Sequence, residues 1–198
     1  LNLSPVARKK ASRSAAGEVR IIGGVWRRHK LPVPDKPGLR PTPDRVRETL
    51  FNWLGQDLAG WRCLDAFAGT GVLGLEAASR GAKEVRLIEQ DVQLVQQLKL
   101  AQTKLQAHAV VVSRGDGLAV MQQLTPGSLD LIFLDPPFDA DLFDQALLRA
   151  APLLSSGGFI YLESPRPWDE AQLEPFGLTL YRHLKAGAAH AHLLQRKT

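Results

Sequence analysis

Cysteine is nearly absent: Cys63 is the single cysteine among 198 residues. That excludes a disulfide framework and any Cys-rich zinc or iron–sulfur centre, and it points to a reducing, cytoplasmic setting. Long hydrophobic runs are missing too. No stretch approaches the roughly 18 apolar residues of a spanning helix, and mean hydropathy is −0.12, so an integral membrane protein is excluded. Residues 1–17 contain no acid and are rich in Ala, Ser, Arg and Lys. They lack the apolar segment of a secretory signal, although their composition would suit an organelle transit peptide. Residues 1–18 therefore read as a basic, disordered extension. None of the five histidines has metal-ligand spacing to a second candidate ligand, and no metal is expected.

What is present suits one domain. At roughly 150 residues per domain the length leaves about fifty to spare. The net charge of +5 is unevenly spread: residues 1–50 hold twelve basic and four acidic residues, the remainder thirteen and sixteen. A cationic arm on a mildly acidic body points to a polyanionic partner, most naturally nucleic acid.

The apolar run Val19–Ile22, the pair Gly23-Gly24 and then Trp26, Arg27, Arg28 and Lys30 read as a small hairpin carrying an aromatic among cations. Prolines 32, 34 and 37 with Gly38 mark a loop. Thr42-Pro43-Asp44 predicts a helix start with a threonine cap, and Val46, Leu50, Trp53, Leu54 and Leu58 form its apolar stripe. Asp44 and Arg47 are expected off that stripe. From Arg62 onward strands alternate with helices: strands over 62–67, 84–88, 110–113, 129–134 and 158–163, and helices over 72–80, 92–106, 118–124 and 142–154. A closing pair of strands is expected over 177–184 and 191–196. Apolar strands separated by helices predict a doubly wound α/β domain, its mostly parallel seven-stranded sheet covered on both faces. Cys63 falls on the first of these strands. The expected division is the extension 1–18, a cationic hairpin and helix over 19–58, and the α/β domain over 59–198.

Two motifs carry chemistry. Asp65-Ala66-Phe67-Ala68-Gly69-Thr70-Gly71-Val72-Leu73-Gly74 puts a glycine-rich turn between a strand and its helix, where free amides suit an anionic group. Glu89 stands at the end of the next strand, placed to accept from both ribose hydroxyls of a nucleoside. These parts serve nicotinamide cofactors and S-adenosylmethionine alike. Asp116, after Gly115, suits either an adenine amino group or a helix cap. The second motif discriminates. Asp135 ends a buried strand, and Pro136-Pro137 stiffens the backbone and removes two donors, leaving bare carbonyls. Such a segment suits a substrate that donates hydrogen bonds, such as a planar amine, with Phe138 as a stacking face for a base.

These residues resemble the RsmD family of class I S-adenosylmethionine-dependent methyltransferases acting on small-subunit ribosomal RNA. The likeness covers about residues 19–196 and is carried by Arg20–Gly24, Leu39-Arg40-Pro41-Thr42, Arg45–Leu54, the loop 65–74 and Asp135–Phe138. It implies methyl transfer to the 2-amino group of one guanine, presented by a partly assembled small subunit to a monomeric enzyme. It further implies that Asp65, Phe67, Ala68, Gly69, Thr70, Gly71, Glu89, Gln90, Asp116 and Gly117 bind the cofactor. Asp135, Pro136, Pro137 and Phe138 would hold the guanine, and Arg20, Trp26, Arg27, Arg28, Lys30, Arg40, Thr42 and Arg45 the RNA. Arg47-Glu48 reads as internal pairing. Two departures stand out: the basic extension is additional, and His190 and His192 occupy positions where the family tends to carry tyrosine or other residues. The alternatives are a methyltransferase for another amine (a DNA base or a protein amide), a nicotinamide-dependent oxidoreductase, and a non-catalytic RNA-binding module.

Overall fold

Seven strands pair side by side in the computed structural model, which describes residues 17–138 and 142–197. The basic segment before Gly17 and the chain just after Phe138 lie outside the described residues. In chain order the strands and helices are β1 (Gly17–Arg20), β2 (Lys30–Val33), α1 (Asp44–Leu54), β3 (Arg62–Asp65), α2 (Val72–Ser79), β4 (Glu84–Glu89), α3 (Val92–Lys104), β5 (Val110–Arg114), α4 (Gly117–Gln123), β6 (Leu129–Leu134), α5 (Phe143–Ala150), β7 (Leu154–Ser164), α6 (Glu170–Leu173), β8 (Leu178–Ala186) and β9 (Ala189–Arg196). The large sheet runs β5-β4-β3-β6-β7-β9-β8, and β1 and β2 form a separate antiparallel ribbon. Strands β3 to β7 are parallel to their neighbours, while β9 inserts antiparallel between β7 and β8. The doubly wound sheet and its hairpin appendage are as expected.

Alternation along each central strand splits the core in two. One face carries Phe133 and Tyr161 against Val46, Leu50 and Phe51 of α1, with Leu75 of α2 and Leu98 of α3. The other carries Ile132, Leu134 and Leu162 against Met121 of α4, Leu147 of α5 and Leu173 of α6. Burying a side chain of this size is worth about 1.5–3 kcal/mol, so the apolar strand runs alone commit the chain to a covered sheet.

Local differences from expectation have physical causes. The 142–154 helix stops at Ala150 and tightens into a 3-10 turn around Pro152, which has no amide hydrogen to continue an α-helix. β7 starts early, at Leu154, and its register against β6 shifts between Leu129 and Leu131. The short helix α6 follows a capping box at Asp169 that sequence periodicity did not reveal. On α1 Phe51, outside the expected stripe, is fully buried beside Leu50, whereas Trp53 is only partly buried.

Arg47 is the largest correction. It was expected off the apolar stripe, yet it is completely buried. Its Nη1 donates to Glu76 of α2 at 2.8 Å, its Nη2 to Asp44 at 2.5 Å, and its Nε to the Thr42 carbonyl at 2.9 Å. Glu76 also takes Arg80 at 3.0 Å and the amides of Ile22 and Gly23. Arg47 thus pairs internally as expected, but with Glu76 and Asp44 rather than its neighbour Glu48. The same node pins the hairpin: Val25 and Trp26 donate to the carbonyl and hydroxyl of Ser79, at the end of α2. Gly24 adopts φ 73°, and a Cβ there would lie 1.9 Å from the Ser79 carbonyl oxygen, so only glycine lets the turn approach so closely.

Candidate active site

Strand order reverses between β3 and β6, and ligands of doubly wound sheets bind where carboxyl ends diverge at such a point. A cavity of about 1140 Å³ opens there. Its walls come from the β3–α2 turn, the ends of β4, β6 and β7, the β5–α4 turn, the 186–191 hairpin and the loop 36–43.

Phe67, Ala68, Gly69 and Thr70 line one half, together with Glu89, Gln90, Asp116 and Gly117. The Glu89 carboxylate accepts the Gly69 amide at 2.8 Å through one oxygen and the Asp91 amide at 2.8 Å through the other. It therefore shapes the glycine loop while remaining on the cavity wall. Asp91 in turn caps α3 and pairs with Lys36 at 2.8 Å, tying the loop 36–43 over this end. Lys36 donating to Asp91 and the amides of Leu94 and Gln93 hold the Asp91 carboxyl below its usual range. Asp116 caps α4, accepting from Leu118 at 3.0 Å, and it also faces the cavity. Gly117 has no room for a side chain, since a Cβ would stand 2.1 Å from the Ala66 carbonyl oxygen.

Two residues expected at the cofactor lie behind the wall. Gly71 is the N-cap residue of α2 at φ 78°, and its missing Cβ makes room for Leu98. Asp65 is buried, accepts the Gly74 amide at 3.1 Å, and leaves Oδ1 without a partner among the described residues. Burial raises its pKa to about 7, with Glu89 adding to the rise against the Gly74 amide.

The other half holds Asp135, Pro136, Pro137 and Phe138. Phe138 is 44% exposed, a large apolar ring offered to solvent at the cavity mouth. No described residue donates to the Asp135 carboxylate. Burial first, then the charges of Glu163 and Asp65, push it well above the usual carboxylate range. Glu163, at the end of β7, was not foreseen. It lines the cavity, and its Oε2 accepts from the hydroxyls of Thr42 and Tyr161, both at 2.9 Å. Burial raises Glu163 while those two hydroxyls counter the rise. This bond also corrects Thr42. It is 2% exposed, its hydroxyl caps nothing on α1, and it is withdrawn from any outside partner.

Of the cationic residues expected at RNA, only Arg40 lines the cavity. Arg27, Arg28 and Lys30 are exposed on the hairpin, beside Val25 at 79% exposure. Trp26 is half-buried against the core, so its packing role dominates. Arg20 pairs with Asp44 at 2.7 Å and Lys30 with Glu18 at 2.8 Å, both at the surface. Arg45 is exposed. His192 is fully buried: Nε2 accepts the Trp168 amide at 3.0 Å, leaving Nδ1 to donate to the Leu162 carbonyl. Among the described residues no group of three or more His, Cys, Asp or Glu can hold a metal ion, and no helix is long and apolar enough to cross a membrane.

Strand order and the switch-point cavity are those of a methyltransferase of the class I type. The comparisons with known proteins narrow this. The chain belongs to the family described as Conserved hypothetical protein 95, the RsmD family, whose model matches residues 19–195. It is 44% identical over 192 residues to the ribosomal RNA small subunit methyltransferase D of Escherichia coli strain K12, covering 96% of each chain. The Haemophilus influenzae protein of the same name is 41% identical over 187 residues, covering 92% of this chain and 96% of that one. A solved Escherichia coli structure described as a methyltransferase superposes with a TM-score of 0.78 at 40% identity, covering 92% of this chain and 99% of the other.

Proposed function

We propose that this chain transfers a methyl group from S-adenosylmethionine to the exocyclic 2-amino group of a guanine in small-subunit ribosomal RNA. The observation that carries the reading is Asp135: a half-buried carboxylate to which no described residue donates, on a cavity wall, followed by two prolines and an exposed ring. Such a corner waits for a planar group that brings its own N–H bonds. Family membership and the names of the relatives favour ribosomal RNA over a DNA base or a protein amide. The proline pair disfavours hydride chemistry.

The cavity fits the cofactor. Gly117 lets the β5–α4 turn pack closely on the Ala66 backbone at the cavity wall, and Glu89 sits one strand from the glycine loop, where ribose hydroxyls can reach it. Phe67 to Thr70 would flank the methionine part, and Gln90, Asp116 and Gly117 the adenine. When bound, the cofactor supplies an electrophilic methyl on a sulfonium. The protein's own task is then orientation. Asp135 and the Pro136 carbonyl accept from the guanine amine, turning its nitrogen lone pair out of the ring plane and toward the methyl group. Phe138 stacks on the base, offsetting part of the cost of flipping it from its helix. Arg27, Arg28, Lys30, Arg40 and Arg45 would hold phosphates around the mouth, so affinity should fall steeply with salt. A partly assembled small subunit in the cytoplasm is the natural substrate, met by a monomer.

The test is labelled methyl transfer from S-adenosylmethionine to unmodified small subunits, followed by nucleoside analysis. Label in N2-methylguanosine supports the reading. Label in another nucleoside keeps the amine chemistry and removes the guanine assignment, and tight cofactor binding without label removes RNA as the acceptor.

A further inference from the structure

Asp135 does not stand alone. β6 and β7 run parallel with Leu134 opposite Leu162, so Asp135 and Glu163 follow as neighbours at the ends of adjacent strands. Alternation along both strands puts them on the face where Phe133 meets Tyr161, ring centres 6.2 Å apart. Both acids line the cavity. Glu163 is held at one oxygen only: Thr42 and Tyr161 both donate to Oε2, and Oε1 accepts from no described residue. The corner therefore presents two adjacent acceptors, and no described residue places a donor between them. Two half-buried carboxyls this close oppose each other's ionisation, so their pairing makes sense where a ligand delivers two donors at once.

Nucleobase edges differ in this respect. Guanine carries N1–H beside its 2-amino group, two donors side by side. Adenine and cytosine each place a single amino group beside a bare ring nitrogen, which is an acceptor. Uracil has one N–H between two carbonyls.

We infer that Glu163 is the residue that selects guanine, its free oxygen accepting the ring N1–H while Asp135 accepts from the 2-amino group. This rests on the guanine reading above and deepens it. A base with a bare nitrogen at that position sets its lone pair against a carboxylate oxygen, and buried polar mismatches of this kind discriminate strongly. Glu163 also ties the loop 36–43 to the sheet through Thr42, and a purely structural role would end there. Glu163→Gln separates the two roles. Its amide oxygen can still accept from Thr42 and Tyr161, while its amide nitrogen turns a donor toward the base.

The experiment uses the full chain and reconstituted small subunits carrying either guanine or 2-aminopurine at the methylated position. 2-Aminopurine keeps the 2-amino group but has a bare N1. The wild-type protein should methylate guanine at least about 100-fold better in kcat/KM. Glu163→Gln should lose about that factor on guanine and shift the ratio toward 2-aminopurine by more than about tenfold, with cofactor affinity unchanged. Glu163→Gln retaining the wild-type preference, or losing both substrates equally while binding cofactor normally, overturns the inference. Equal use of both bases by the wild type overturns it without any variant, so folding of the variant is not required. Absence of N2-methylguanosine in the wild-type guanine reaction is a different failure: it removes the function proposed above, and the inference with it.

Discussion

Two clusters of charge sit on the same face of the sheet, one buried and one half-buried at the cavity wall, and they are built on opposite rules. Around Glu76 the charges alternate in sign, and the carboxylate accepts from Arg47, Arg80 and two backbone amides. Around Asp135 the charges are alike, with Glu163 and Asp65 nearby, and Asp135 receives no donor from a described residue. The first cluster joins the hairpin, α1 and α2. The second faces the cavity. A buried charge that the protein satisfies itself is structural, whereas one left unsatisfied at a cavity wall is reserved for a ligand.

The comparison breaks most visibly at Arg47. Removing one partner of a buried pair strands the other, at a cost of about 3–5 kcal/mol. Arg47→Met should lower the urea unfolding midpoint by a corresponding amount. Unchanged stability would show that Glu76 finds compensation elsewhere. Next comes Asp135→Asn. Loss of a group that acts on the reacting atoms costs about 10²–10³-fold in rate, so methyl transfer should fall by that much. Removing a like charge should meanwhile leave thermal stability equal or higher. A variant that loses stability along with activity would place Asp135 with the structural cluster.

How much of this was readable in advance follows from the same distinction. The glycine loop and the Asp135–Phe138 segment are continuous in sequence and use residues with special backbones, so they announce themselves. The central strands did so through apolar segments alternating with helical ones. Glu163 gives no such signal: an acid ending an ordinary strand acquires meaning only when β7 lies beside β6. Thr42 was misread for the same reason, since its partner is 121 residues away. Arg47 was legible and overlooked. It precedes Leu50, Phe51 and Leu54 by three, four and seven positions, the spacing of a buried helical face, and only its charge argued against burial.

The subtlest test of satisfied against unsatisfied groups uses pH, because Asp65 and His192 are both buried and shifted in opposite senses. Asp65 has no partner among the described residues on one oxygen, and its pKa rises to about 7. His192 has both nitrogens bonded in its neutral form, and burial lowers its pKa to about 4. Between its ordinary value near 4 and its folded value near 7, Asp65 binds more proton folded than unfolded, so stability from this group grows as pH falls. Between 6.5 and about 4, His192 binds less proton folded than unfolded, so stability from this group shrinks as pH falls. Each slope is bounded at about 1.4 kcal/mol per pH unit, and over the shared window the two oppose each other. Asp65→Asn should therefore make urea midpoints fall more steeply than wild type from pH 6.5 to pH 4.5, while His192→Asn should flatten or invert that fall. The slope is the readout, because either substitution also moves the absolute level. A variant curve parallel to wild type would mean that the substituted group keeps its ordinary protonation in the fold. For Asp65 that would imply a donor reaching Oδ1, and the unsatisfied edge of the sheet would shrink to Asp135 and Glu163.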